Sequence, residues 1–175
     1  MRRTGQMLLA ALFAALTALG AWLRIPVPPS AITLQILFPA MAGVLLGRKW
    51  GAVSQLIYVA LGLVGLPVFT FGGGLGAVLQ PSFGFLPGMI AMAWVIGLLT
   101  ERGWRTLPAL LVGLAALYAV GLPYLAVIEN VYLRQGWSLA QLLMGGMVIF
   151  LPWDLLKLAL AALLCRRLRP ILRIL

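Results

Sequence analysis

Residues 107–128 read LPALLVGLAALYAVGLPYLAVI and hold no charged side chain. A helix gains about 1.5 Å per residue, so this stretch reaches roughly 33 Å and crosses a hydrocarbon core of about 30 Å. The rest of the 175-residue chain is of the same material, with 63% hydrophobic and 9% charged residues and a mean hydropathy of +1.10. A soluble domain carries about 45–50% apolar and about 25% charged residues. The sequence therefore specifies an all-α integral membrane protein, a single membrane domain over residues 1–175.

Working outward, five further apolar stretches complete a set of six spans, at about 7–23, 32–47, 50–68, 83–100, 107–128 and 138–168. The last has a break near Pro152. The first follows Arg2 and Arg3 as a signal peptide would, but its 17 residues exceed the usual apolar core of about 7–15. It is expected to stay as the first helix.

The net charge of +10 arises from 13 basic and 3 acidic residues. With the N-terminus inside, Arg2, Arg3, Arg48, Lys49, Arg102, Arg105, Arg166, Arg167, Arg169 and Arg173 fall on the cytoplasmic side. Arg24 and Arg134 fall outside, and Lys157 is embedded in the last helix. Basic residues gather on the cytoplasmic side of short loops. Both termini are thus expected in the cytoplasm, and the charge marks topology rather than a nucleic-acid partner.

The chain contains no histidine, one cysteine and three acids. Ser-His-Asp triads, disulfides, Cys-rich metal sites and paired-carboxylate hydrolysis drop out, so no catalytic residue and no metal site is assigned. The chain reads as a binder or conduit, not an enzyme.

Irregular backbone at membrane depth survives only when it is buried in protein or lines a cavity. Pro26, Pro28, Pro29, Pro67, Pro81, Pro87, Pro123 and Pro152 fall near the outer helix ends, whereas Pro39 falls mid-helix. Inner connections are tight and basic, as in GRKW at 47–50, and outer ones are longer. The outer half is expected to hold a ligand. The longest outer connection contains FTFGGGLG at 69–76, which lacks the lysine and Ser/Thr of a phosphate loop. Two readings stand: a lid that closes over a ligand with Phe69, Phe71, Gly73 and Gly74, or a plain re-entrant turn.

The stretch LPWDLLK at 151–157 is the most informative for function. Proline suits the first turn of a helix, and Asp154 follows where the helix dipole favours an anion. Asp154 and Lys157 are three apart and share a face. Ionisable groups in a span face the bundle interior and mark a ligand path or a partner. Aspartate supplies acceptors and lysine donors, a match for adjacent N–H and C=O groups such as a cyclic urea or amide. Thr33, Gln35, Gln80, Glu129, Asn130 and Arg134 are polar candidates around the same outer end. Phe85 and Trp153 are candidates to line a cavity, while Trp22, Trp50, Trp104 and Tyr132 fit interfacial belts.

The first helix carries Ala10, Ala14 and Ala18 at four-residue spacing, with Ala11 and Ala15 beside them. Small residues so spaced let another membrane helix approach closely, either within the chain or in a partner. Cys165 reads as a buried residue at the inner interface.

These residues together resemble the BioY family. The resemblance rests on the alanine-striped first helix, IPVPP at 25–29 leading into TLQ at 33–35, and GLPVF at 65–69 with its glycine loop. PSFGF at 81–85 and FLPWDLLK at 150–157 complete it. It implies the fold of the substrate-binding S component of an energy-coupling factor (ECF) transporter in a bacterial plasma membrane, capturing biotin near the outer face. Asp154 and Lys157 would engage the polar end of the vitamin, and the glycine loop and the loop between helices one and two would cap it. The alanine face would dock on the transmembrane coupling subunit, which joins two ATP-binding-cassette ATPases. This chain would bind no cofactor, and ATP would be used by the partners. Trp153 departs from the family's usual glycine, and Ser82-Phe83 from a commoner Thr-Gly. Rival readings are an S component for another vitamin or cofactor precursor such as lipoate, a stand-alone proton-coupled permease, and a membrane assembly factor.

Overall fold

A computed structural model of the chain describes residues 3–27 and 30–172. Arg2, Pro28, Pro29 and Arg173 lie outside the described residues. Helix α1 (Arg3–Trp22) leads into an antiparallel hairpin of β1 (Arg24–Val27) and β2 (Ser30–Thr33), with Arg24 opposite Thr33 and Ile25 opposite Ile32. There follow α2 (Leu37–Leu63), a long connection with two 3-10 turns (Leu75–Leu79 and Pro81–Gly84), and α3 (Phe85–Glu101). Helix α4 (Thr106–Val127) runs on through one π turn (Ile128–Tyr132). The last region comprises α5 (Leu139–Leu143), a second π turn (Met144–Val148) and α6 (Leu151–Leu172).

Four of these helical segments are long and apolar enough to cross a membrane: Arg3–Trp22, Pro81–Glu101, Thr106–Tyr132 and Leu139–Pro170. Helix α2 differs because Gly47 sits at φ 78°, ψ −179° and breaks it. A side chain added at Gly51 would come within 3.0 Å of Gly43 Cα. Residues eight apart in a straight helix are separated by about 12 Å, so the chain folds back on itself at Gly47. Beyond the turn, the Arg48 N–H donates to Glu101 Oε1 at 2.9 Å, and the Arg48 guanidinium lies 3.3 Å from Glu101 Oε2. Before the turn, residues 39–44 are buried on every side. This half is the axis around which the bundle packs.

Burial follows helical spacing elsewhere. In α4, Leu110, Leu114, Leu117, Gly121 and Leu125 line the inner face. In α6, Asp154, Lys157, Leu158, Ala161 and Cys165 do the same. The outward faces carry large apolar residues such as Leu111, Leu156 and Leu163, which suits lipid contact. Close helix approach depends on glycine: a Cβ at Gly113 would meet the Ile96 side chain, and one at Gly88 would sit 2.9 Å from Leu117 O.

Three sequence expectations change. The second span does not begin at residue 32, because residues 30–33 pair as β2 and helix starts only at Leu37. Pro39 is in the first turn of α2 instead of mid-helix, where its missing N–H costs nothing. The alanine stripe divides: Ala10 and Ala14 are buried in the core of this chain, Ala18 is half-buried, and Ala11 and Ala15 are exposed. Ala10 and Ala14 therefore serve internal packing, since a face already covered by its own chain offers nothing to a partner. A buried polar cluster closes the α1–α2 contact, with Thr17 Oγ1 3.3 Å from Gln55 Oε1 and Gln55 Nε2 donating to Ser54 Oγ at 3.0 Å.

Candidate functional site

A cavity opens at the end of the bundle remote from Gly47 and holds about 580 Å³ of space free of atoms. Part of that space is open to solvent, so the enclosed part is small and its lining, not its size, marks it as a candidate site. Its polar floor comes from two helices. Asp154 stands in the first turn of α6, where the Pro152 ring tolerates a missing donor and the helix dipole favours the carboxylate. Lys157 lies one turn on, and its Nζ is 2.7 Å from Asp154 Oδ1. From α4, the Tyr118 hydroxyl donates to Asp154 Oδ2 at 2.6 Å. Asp154 and Lys157 are only 2% and 7% exposed.

This arrangement leaves specific capacity. Each carboxylate oxygen already accepts one bond and retains a further lone pair. The ammonium has spent one of its three donors on Asp154. A ligand with N–H groups beside a carbonyl can thus be met by acceptor and donor at once. A buried pair that served only stability would be a poor exchange for hydrophobic packing. Here both groups border an opening.

The walls come from four other segments. Thr33 ends β2, and its hydroxyl accepts from the Gln35 N–H at 3.3 Å. Gln35 Nε2 donates to the Tyr58 hydroxyl at 2.9 Å, which in turn donates to Val68 O at 3.0 Å. This relay ties the hairpin exit to the connection beyond α2. There Phe69 and Gly72 exchange backbone hydrogen bonds of 2.9 and 3.2 Å, which makes a tight turn with Thr70 and Phe71 at its tip. Both tip residues line the cavity. Phe69 is buried beneath them, with Tyr58 at 5.5 Å, Phe71 at 5.6 Å and Phe83 at 6.4 Å between ring centroids. Phe85, Leu86 and Met89 of α3 supply the apolar side, and Phe85 meets Tyr118 edge-on at 6.2 Å.

Of the candidates read from the sequence, Thr33, Gln35, Phe71, Phe85, Asp154 and Lys157 converge on this cavity. The others do not line it. Gly73 and Gly74 hold the backbone of the turn: a Cβ on Gly73 would collide with Leu66 O, and the Gly74 N–H donates to Gly62 O at 2.7 Å with φ 96°. The glycine run is thus an anchored turn that presents Thr70 and Phe71. Gln80 is exposed between the two 3-10 turns. Asn130 clamps its own loop, accepting from Trp137 N at 2.6 Å and donating to Trp137 O at 3.0 Å. Trp153, one residue before Asp154, is turned about 100° around the helix and is 47% exposed. Its bulk therefore stays clear of the pocket.

The sequence reading missed Tyr118, Thr70, Ser82, Ile36 and the π-turn residue Gly146, all of which line the cavity. Tyr118 did carry a signal, as the one polar aromatic midway along residues 107–128. Neither Glu129 nor Arg134 borders the cavity; Glu129 is buried, and its carbonyl accepts from Gln135 N at 2.8 Å.

Known proteins share this architecture. The sequence profile of the BioY family matches residues 1–174. A probable biotin transporter BioY of Lysinibacillus sphaericus is 43% identical over 97% of this chain and 89% of its own length. The biotin transporter BioY of Thermotoga maritima is 38% identical over 95% and 96%. A crystal structure at 2.1 Å of the S component for biotin from an ECF-type transporter superposes with a TM-score of 0.83 at 30% identity. The match covers 97% of this chain and 93% of that one.

Proposed function

The chain belongs to the BioY family, and on that premise we propose that the cavity floored by Asp154, Lys157 and Tyr118 is its biotin site. The protein is a biotin-uptake protein of the membrane, with the S-component fold and no enzymatic activity. Biotin is its transported ligand. The observation that carries the site is a charged donor–acceptor pair buried at the base of an opening whose other lining residues are uncharged. Biotin presents a cyclic urea with two N–H groups and one carbonyl. Asp154 accepts an N–H, Lys157 donates to the carbonyl, and Tyr118 fixes the carboxylate between them. Thr33 and Gln35 flank the ring, while Phe71 and Phe85 cover its apolar parts.

The membrane arrangement extends this reading. Each half of α2 counts as a separate short span, giving six, with α5, the second π turn and α6 forming the last. Arg48, Lys49, Arg102, Arg105, Arg166, Arg167 and Arg169 then share one side, and the excess of basic residues puts that side, and both termini, in the cytoplasm of a bacterial plasma membrane. The cavity faces outward, and biotin enters from outside. Exposed Ala11 and Ala15 leave α1 a small-residue strip for a transmembrane coupling subunit. Two ATPases joined to that subunit would supply ATP hydrolysis, since this chain has no phosphate-binding motif.

Competition on the purified chain tests the reading. Lipoate shares the pentanoate tail and a sulfur ring with biotin but lacks the urea. Unlabelled biotin should displace tritiated biotin, and lipoate in large excess should not. Equal displacement by lipoate would remove the urea, and with it Asp154 and Lys157, from the recognition scheme.

A further inference from the structure

A second opening lies at the opposite end of the molecule, between α2, α4 and α6. It is an open groove lined by residues of all three helices. Its walls are apolar, formed by Val44, Leu107, Ala159, Ala162 and Leu163, and its rim carries Arg166 and Arg169. These arginines are three apart on one helix, and both line the groove.

Charge balance says what the groove takes. The chain has three acidic side chains. Asp154 pairs with Lys157, Glu101 pairs with Arg48, and Glu129 lies beyond the far end of α4. Among the described residues no acidic side chain pairs with Arg166 or Arg169, so both guanidinium groups are free to meet an external anion. Helix α4 also begins at this rim, at Thr106 and Leu107, without a side-chain cap on its first N–H groups. Its positive end adds to the field of the arginines. An apolar slot running into the bilayer, with bidentate phosphate donors at its mouth, matches one chemistry: acyl chains below and an anionic headgroup above.

We propose that this groove is a binding site for an anionic glycerophospholipid of the leaflet at the basic end, its phosphate held by Arg166 and Arg169 and an acyl chain laid against Val44, Ala159 and Leu163. The proposal needs only that the chain lies in a bilayer; it does not rest on the biotin assignment. Lipid bound here touches α2, α4 and α6 together at the basic end.

Native mass spectrometry of the detergent-purified chain, titrated with dioleoyl phosphatidylglycerol or dioleoyl phosphatidylcholine, tests the site. The wild type should retain phosphatidylglycerol in preference to phosphatidylcholine. Arg166→Gln/Arg169→Gln should bind phosphatidylglycerol about thirtyfold more weakly, as each basic group near a lipid surface contributes about a factor of five. Arg102→Gln/Arg167→Gln, with the same loss of charge outside the groove, should bind as the wild type does. Biotin binding, measured on the same samples, reports that both variants are folded. The proposal is overturned if the two lipids bind alike, or if both double variants lose phosphatidylglycerol equally, which is diffuse attraction. It is also overturned if inorganic phosphate competes as well as the lipid, or if the groove variant keeps its lipid and loses only capture of a coupling subunit.

Discussion

The two ends of the bundle solve the problem of reversing a chain in opposite ways. At the basic end, α2 turns back at Gly47 within a few residues, and α3 passes to α4 through residues 102–105. The Glu101 carboxylate staples these two turns by accepting from the Arg48 backbone and pairing with its side chain. At the other end, residues 64–84 wander through a tight turn and two 3-10 turns, and α5 to α6 passes through a π turn. That end spends its backbone on a cavity, and its polar side chains point inward: Gln35 to Tyr58, Tyr118 to Asp154, Lys157 to Asp154. Under the proposed function, the tight turns with exposed charge set topology and the irregular backbone with buried charge holds the ligand. A substitution at one end should therefore leave the other end's property alone.

Four substitutions probe that separation. Lys157→Met leaves Asp154 buried without its cation, and the cost of such an orphan is about 3–5 kcal/mol. Biotin affinity should fall by roughly a hundredfold or more, read by calorimetry, while trypsin access to the basic turns in oriented vesicles stays as in the wild type. A change of protease pattern would break the separation. Gly97→Val is the counterpart, because even a Cβ there would strike the Arg48 backbone. Overpacking of this kind costs about 1–3 kcal/mol, so thermal unfolding should come earlier and the folded fraction should keep its biotin affinity. Tyr118→Phe removes one hydrogen bond to a charged group and should weaken biotin about tenfold without altering the fold. Glu101→Gln breaks an exposed ion pair worth about 0–1 kcal/mol. It should change the unfolding temperature little and biotin affinity not at all; a tenfold loss of affinity would show that the two ends are coupled.

The residues explain what was legible beforehand. Asp154 and Lys157 stood out because an ionised group in an apolar run has few bland explanations. The apolar stretches gave the long helices because length and composition alone decide them. Tyr118 was harder to see, since an aromatic at helical spacing also fits lipid-facing or core positions, and only the packing of α4 on α6 brings its hydroxyl to Asp154. Trp153 shows the converse: adjacency in sequence to Asp154 suggested a pocket residue, but one helical step turns it outward. The hairpin at residues 24–33 was hidden by its prolines, which mark a turn without saying that the strands beside it pair. For the glycine run, composition offered both a lid and a turn, and the collision of a Gly73 Cβ with Leu66 O favours the anchored turn.

In the proposed site the buried Asp154 carboxylate accepts an N–H of biotin's urea. Titration calorimetry of biotin into the purified chain and its Asp154→Asn variant measures this directly, because asparagine keeps the shape and removes the charge. The variant should bind at least about tenfold more weakly, the cost of losing charge-assisted hydrogen bonds. Equal affinity in a variant that unfolds at the wild-type temperature would contradict it.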